Sequence, residues 1–493
     1  MKTQSGIRAL AACAALTGLF GCGDDTATAP EPTAELSTSG MNALATEVRQ
    51  LTAGRGITQL QRPAPVRPAL ANLGLALAFD KILSGNRDIS CMTCHLPSLG
   101  TGDFRSLSIG QGATGLEATR IHPQGLFIPR NAPPLFNLFA MEPLFWDGRI
   151  FQDEQGTFHT PAGLAITPAM HGVFEFGTMS ILPLFPVLSR EEMRAFGDGN
   201  ELAVISDNDQ DKVWRALMKR LGGIAEYRKM FEKAYPGQRL DRMTFAHASN
   251  AIAGFFISRF SFNNSPWDRV LAGNDDAMTP VQLQGAKNFM SARCSVCHNG
   301  AALTDNKFHN VAVAQFGPGQ GDGPSLRDDF GRMRVTGNAA ERYAFRTPAL
   351  RNVELTAPYG HNGAFFDLRE FVAHYSESDV KLRDFDITKL ESILQATVLP
   401  TLNEILATRD PLLEGVVFPD QVIDEVTEFM KALTDPAARN LQGTVPGRVP
   451  SGLRVDGAPG NSQNQGAGGT RAAPGGGQSS VTVTNRSRPV LPT

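Results

Sequence analysis

Two pentapeptides constrain this chain more than any other feature: Cys91-Met92-Thr93-Cys94-His95 and Cys294-Ser295-Val296-Cys297-His298. Two cysteines with two residues between them, followed at once by histidine, form the pattern of covalent c-type haem attachment. The spacing has a physical reason. One helical turn after the first thiol, the second lies beside the other vinyl group of the same porphyrin, and the next side chain falls under the iron. His95 and His298 are therefore candidate proximal ligands. A zinc ribbon or a thiol redox site is the alternative for a CxxC pair. Paired zinc-binding motifs usually lie close together, whereas these are about 200 residues apart and both carry the trailing histidine. Two covalent haems c are the expectation.

A length of 493 residues allows two or three domains. A net charge of −3 gives a polyanion no purchase, so nucleic acid is not an expected partner. The N-terminus reads as an export signal over residues 1–22. Lys2 and Arg8 precede an apolar run from Ala9 to Phe20, and Leu19-Phe20-Gly21-Cys22 resembles a lipoprotein cleavage box. The alternative is an ordinary secretory signal cut nearby. The run is short of the roughly 20 residues a membrane span needs. The expected location is the periplasmic side of the cell envelope, held by a lipid on Cys22. Cysteine use agrees: of six, Cys13 leaves with the signal, Cys22 carries lipid and four carry haem, leaving none for a disulfide.

Residues 23–60 read as a flexible tether and 61–245 as an N-terminal haem domain, with an inserted excursion around 150–185 and a hairpin near Asp153-Glu154-Gln155-Gly156. Residues 246–440 read as a C-terminal haem domain and 441–493 as a disordered Gly/Pro-rich tail. Leu70, Leu73, Leu75, Leu77 and Phe79 suggest a helix running toward the first CxxCH. Thr279-Pro280-Val281-Gln282 starts a helix toward the second, with Thr as N-cap, Pro at the first position and Gln at the third. Val213, Trp214, Leu217 and Leu221 share a helix face, and a helix over 419–433 closes the second half. The fold class is all-α, two tandem cytochrome c-like domains with one haem each.

Beyond the attachment motifs, the stretch Leu77-Ala78-Phe79-Asp80-Lys81-Ile82-Leu83-Ser84-Gly85-Asn86 resembles the bacterial di-haem cytochrome c peroxidase and MauG family. So do Arg130-Asn131-Ala132-Pro133, Phe145-Trp146-Asp147-Gly148-Arg149, Arg346-Thr347-Pro348-Ala349-Leu350-Arg351-Asn352 and Thr356-Ala357-Pro358-Tyr359-Gly360-His361-Asn362-Gly363. Ala78 departs from the family's usual aromatic residue. The resemblance implies that the haem on His95 reacts with peroxide, and that electrons arrive, or charge is shared, at the haem on His298. It implies that Trp146 relays electrons between them, with burial at the domain interface as the other reading. Glu192 matches the distal glutamate, although Ser189-Arg190-Glu191-Glu192 is also a helix-capping box. His122 is the candidate distal cap of the first haem, with His159 and His171 as rivals. Without a capping histidine this haem is open at rest, as in MauG.

Fourteen residues after His361 stands Tyr375, where the peroxidases have methionine and MauG-type enzymes tyrosine. A phenolate favours ferric and higher iron, a thioether ferrous iron. Met333 and Met430 are rival ligands. Asn131, Thr356 and Pro358 match positions that hold a calcium ion in the family, and simple loop packing is the alternative. The resemblance thus implies a peroxidase-type oxidoreductase that reduces hydrogen peroxide, supplied by a small electron-transfer protein. A MauG-like enzyme oxidising a protein or organic substrate is the first alternative, and a non-catalytic di-haem electron carrier the second. A homodimer is compatible with the sequence.

Overall fold

Proline at its first position and a run of Leu and Ala make Pro68–Phe79 a helix. It is apolar apart from Asn72 and largely buried: Leu70, Leu73, Leu77, Ala78 and Phe79 are fully enclosed. It crosses the helix Phe245–Phe260 at Gly74, where a Cβ would stand 1.8 Å from the Ala251 carbonyl oxygen, so only glycine permits the approach. The second half repeats the device. Pro280–Ser291 begins at the Thr279/Gln282 capping box expected from its sequence, and crosses Asp420–Ala432 at Gly285. A Cβ there would stand 1.8 Å from the Glu425 carbonyl oxygen. After each first helix the chain makes a single helical turn, Cys91–Cys94 and Cys294–Cys297.

This computed structural model describes residues 37–458. Two hydrophobic cores form around the two crossings. The first adds Gln210–Gly222, with Val213, Trp214, Leu217 and Leu221 buried as their spacing predicts, and Ala225–Ala234. In the second, Trp267 and Phe289 each meet Phe429 edge-on, at 5.0 and 5.2 Å between ring centres. Strand among the described residues is limited to two antiparallel pairs of two residues each. Between the cores, the buried Arg130 guanidinium joins Asp147 at 2.7 Å and Asp329 at 2.6 Å.

Several boundaries differ from the sequence reading. Phe245–Phe260 packs on Pro68–Phe79, so the first core extends past 245, and the chain enters the second only at Pro266–Leu271. Periodicity marks a helix face but not the partner that covers it. The tether assigned to 23–60 contains the helix Thr38–Ala53, whose Ala45, Val48 and Thr52 are buried. It lies against Pro280–Ser291, and Glu47 pairs with Lys287 at 2.8 Å. Its apolar stripe of Met41, Leu44, Ala45, Val48 and Leu51 is spaced among polar residues, which a composition reading overlooks.

The 150–185 excursion carries the expected hairpin, Phe151–Gln152 against Phe158–His159. Its Ile166, Met170, Met179 and Ile181 nevertheless join the first core. The tail does not begin at 441: Leu441, Val449, Val455 and Ala458 are buried against the first core. The signal segment, Cys22 and residues 459–493 lie outside the described residues. Among those described, no helix is long and apolar enough to cross a membrane.

Candidate active site

Both attachment turns present their histidine in the same way. His95 Nδ1 lies 3.0 Å from the Thr101 carbonyl oxygen, and His298 Nδ1 lies 3.1 Å from that of Leu303. A ring nitrogen facing a carbonyl carries the proton, which leaves each Nε2 with a free lone pair for a metal. Burial keeps both rings neutral by pushing their pKa down, that of His298 to about 4.

The first turn opens on a cleft of about 1820 Å³, its open mouth included, walled by Cys91, His95, Trp146, Arg149, Glu192 and Arg346 among others. The Glu192 N–H donates to the Ser189 hydroxyl at 3.2 Å, so the capping role exists, while the residue also lines the cavity. Burial raises the Glu192 carboxyl to about 7, against the opposing pull of the Arg149 guanidinium. Trp146 is buried, and its indole N–H donates to the Asn131 carbonyl at 2.9 Å.

The second turn opens on a cleft of about 1010 Å³, its open mouth included, whose wall includes Cys294, Cys297, His298, Tyr375 and Met430. Burial pushes the Tyr375 phenol above its ordinary pKa. Arg346 lines both cavities. Its guanidinium contacts the Phe145 and Thr347 carbonyls and the Met141 sulfur, each at 3.3 Å, and none of these is an acid. Desolvation alone lowers its pKa to about 10. Each cavity thus offers two thiols, an imidazole with a free Nε2 and largely apolar walls, with one unneutralised cation shared between them. That donor set fits two haems c, whose propionate carboxylates would meet a buried arginine that lacks an acid of its own.

Residues 68–276 match the family model for di-haem cytochrome c peroxidase. The chain is 29% identical over 322 residues to cytochrome c551 peroxidase of Pseudomonas aeruginosa, covering 64% of this chain and 74% of that protein. It is 27% identical over 319 residues to methylamine utilization protein MauG of Methylorubrum extorquens, covering 64% and 71%. Over this region the chain is similar to di-haem cytochrome c peroxidases and to MauG. Among solved structures, the diheme peroxidase BthA of Burkholderia thailandensis shares the fold with a TM-score of 0.53 at 20% identity, over 78% of this chain and 92% of that one.

Of the residues that the family resemblance singles out, Glu192 and Trp146 come together on the His95 cavity, and Tyr375 stands on the His298 cavity. His122 does not reach the first cavity. Its Nδ1 accepts the Gln124 N–H at 3.1 Å and the ring lies against Gly112, because the loop that carries it folds away from the cavity wall. His159 stacks on Phe151 and bonds Asp153, and His171 packs on Phe158 and Phe174. Among the described residues, His95 is thus the one histidine on that wall. Met333, unlike Met430, is not part of the second wall.

Asn131 directs its amide to the Arg105 and Ser106 carbonyls, and Thr356 its hydroxyl to the Val353 carbonyl. These bonds brace the loops whether or not a calcium ion is held there with Pro358.

Sequence reasoning missed Arg346, although it stands in a quoted motif, because no pattern shows that an arginine lacks an acid. It also missed His309, which bonds Asp305 and Asp410 beside Cys297. Burial lowers the His309 imidazole pKa, but hydrogen bonds to Asp305, Cys297 and Asp410 outweigh it and raise the pKa overall, and the ring lines the second cavity. Cys297, Asp305 and His309 lie together at the second turn, and Cys297 is the second thiol of its CxxCH motif, so this cluster is part of the same site.

Proposed function

We propose that this chain is a peroxidase-type di-haem oxidoreductase that reduces hydrogen peroxide on the His95 side, with electrons arriving through the His298 side. The supporting observation is Glu192, a carboxyl with a pKa near neutrality on the same cavity as His95, where no second described histidine competes for the open position. Cys91, Cys94 and His95 would hold one haem c, and Cys294, Cys297 and His298 the other. Bound there, haem supplies an iron that can take up the oxidising equivalents of peroxide.

The protein's own contribution is proton handling and charge placement. Near pH 7 Glu192 is partly ionised, so it can take the proton from one peroxide oxygen and return it to the other. That role is worth about 10²–10⁴ in rate. Trp146 and Arg346 span the gap between the cavities: the Arg346 N–H donates to the Trp146 carbonyl at 2.8 Å, and the Arg346 side chain lines both. This hydrogen bond offers an electron a bonded route between the two sides.

A second reading rests on Tyr375. A phenolate ligand on the His298 side would favour highly oxidised iron over acceptance of electrons from a cytochrome. The oxidising equivalents would then be used on a protein or organic substrate, as the MauG resemblance implies. A calcium ion at Asn131, Thr356 and Pro358, a lipid anchor at Cys22 and a periplasmic location complete the proposal on the strength of the sequence alone.

The test is the optical and electron paramagnetic resonance spectrum of the ferric holoprotein with peroxide titrated in. A high-spin component that disappears with peroxide supports an enzyme, and turnover with a reduced cytochrome separates the first reading from the second. Two six-coordinate haems that ignore peroxide, before and after partial reduction, would leave only an electron carrier.

A further inference from the structure

Residues 441–458 leave the second core after its last helix and close over the outside of the first attachment turn. Leu441, Val449, Val455 and Ala458 bury themselves in the first core. Polar contacts then fasten the segment. Thr93 Oγ1 donates to Asp456 Oδ2 at 2.6 Å, Lys81 pairs with Asp456 Oδ1 at 2.7 Å, and the Ser451 hydroxyl donates to buried Asp80 at 2.5 Å. Thr93 is one of the two residues between the thiols, and its hydroxyl oxygen also accepts the Ser90 N–H at 3.0 Å, bracing the start of the turn at Cys91. The chain from Ser90 to Asp456 is one hydrogen-bonded relay. Asp456 itself is 5% exposed.

The second attachment turn lacks this arrangement. Val296 occupies the position of Thr93, and the residue before the first thiol, Arg293, stands at φ 68° with no side-chain cap. A valine can neither accept from the backbone nor donate to a carboxylate. The two turns share a motif but differ in what holds them and in the charge beside them.

We propose that Asp456 is a positioning residue for the N-terminal haem. Through Thr93 it fixes the turn that carries Cys91, Cys94 and His95, and its carboxylate sets the potential of that haem apart from its neighbour's. Hydrogen bonds to the groups that hold a metal orient them, and fixed charge nearby shifts the potential. A negative charge favours the more positive ferric state, and here it also offsets the Lys81 ammonium, so loss of the Asp456 charge leaves net positive charge beside the first turn and raises that haem's potential. The inference rests on the proposed haem occupancy but not on reaction with peroxide.

The test uses the full-length, haem-loaded protein and resolves the two haems by spectroelectrochemical titration and electron paramagnetic resonance. Asp456→Asn should raise the midpoint potential of the His95 haem and leave that of the His298 haem in place. Thr93→Val, which copies the second turn, should alter the His95 haem signal, and Thr93→Ser should restore it. Potentials that do not move, or that move together for both haems, would overturn the proposal. A protein inert to peroxide that still shows the selective shift would uphold it while removing the peroxidase reading.

Discussion

The backbone N–H of Arg346 donates to the carbonyl of Trp146 at 2.8 Å, tying a cation that lines both cavities to an indole that lines one. Among the described residues Arg346 has no acid partner, and its burial is costly unless an anion arrives with the cofactors. Loss of its charge should therefore be felt on both sides. In Arg346→Gln, both haem midpoint potentials are expected to fall, since removing a positive charge favours ferric iron. Redox titration of the two haems checks this, and a shift confined to one of them would place the guanidinium's influence on that side alone.

Glu192→Gln keeps the shape of the residue and removes its proton exchange. Peroxide consumption should fall by about 10²–10⁴ with haem content unchanged. Wild-type rates should rise with pH through about 7 as the carboxyl ionises, and the variant should lose that limb. The sign for stability is the opposite. The folded-state pKa lies above the ordinary 4.5, so the stability that Glu192 contributes is complete below pH 4.5 and is lost as pH climbs toward 7. Thermal melting of the variant should be less dependent on pH across that window.

Tyr375→Met exchanges a hard oxygen donor for a soft thioether on the second wall. If Tyr375 ligates the iron, the low-spin resonance should change and that haem's potential should rise. An unaltered resonance would return Tyr375 to packing and leave Met430 as the ligand candidate on that wall.

Gly74→Ala and Gly285→Ala each place a methyl group 1.8 Å from a carbonyl oxygen of the crossing helix. The helices must separate, at a cost of about 1–3 kcal/mol or more. Both variants should melt at lower temperature and carry less covalent haem, measured by calorimetry and haem staining. A melting temperature equal to wild type would mean that the crossings relax freely.

Much of this was legible in the chain because the signals are local. A CxxCH motif needs only one helical turn to bring its groups together, and the Thr279–Gln282 capping box lies within four residues. Glu192 could be singled out by its motif but not decided, since its capping hydrogen bond and its place on the cavity coexist. His122 is not on the first cavity wall, because nearness in sequence to a motif does not fix where a loop turns its side chain.

By itself, the sequence determined the two attachment turns, the helices that feed them and the choice of His95 and His298, all of them consequences of short-range spacing and backbone propensity. Only the tertiary structure decided which helices cross, that residues 441–458 return to brace Thr93, and that Arg346 stands unpaired between two cavities. Those facts depend on contacts between residues tens to hundreds of positions apart, where burial and charge are set by the partner and not by the neighbour in the chain.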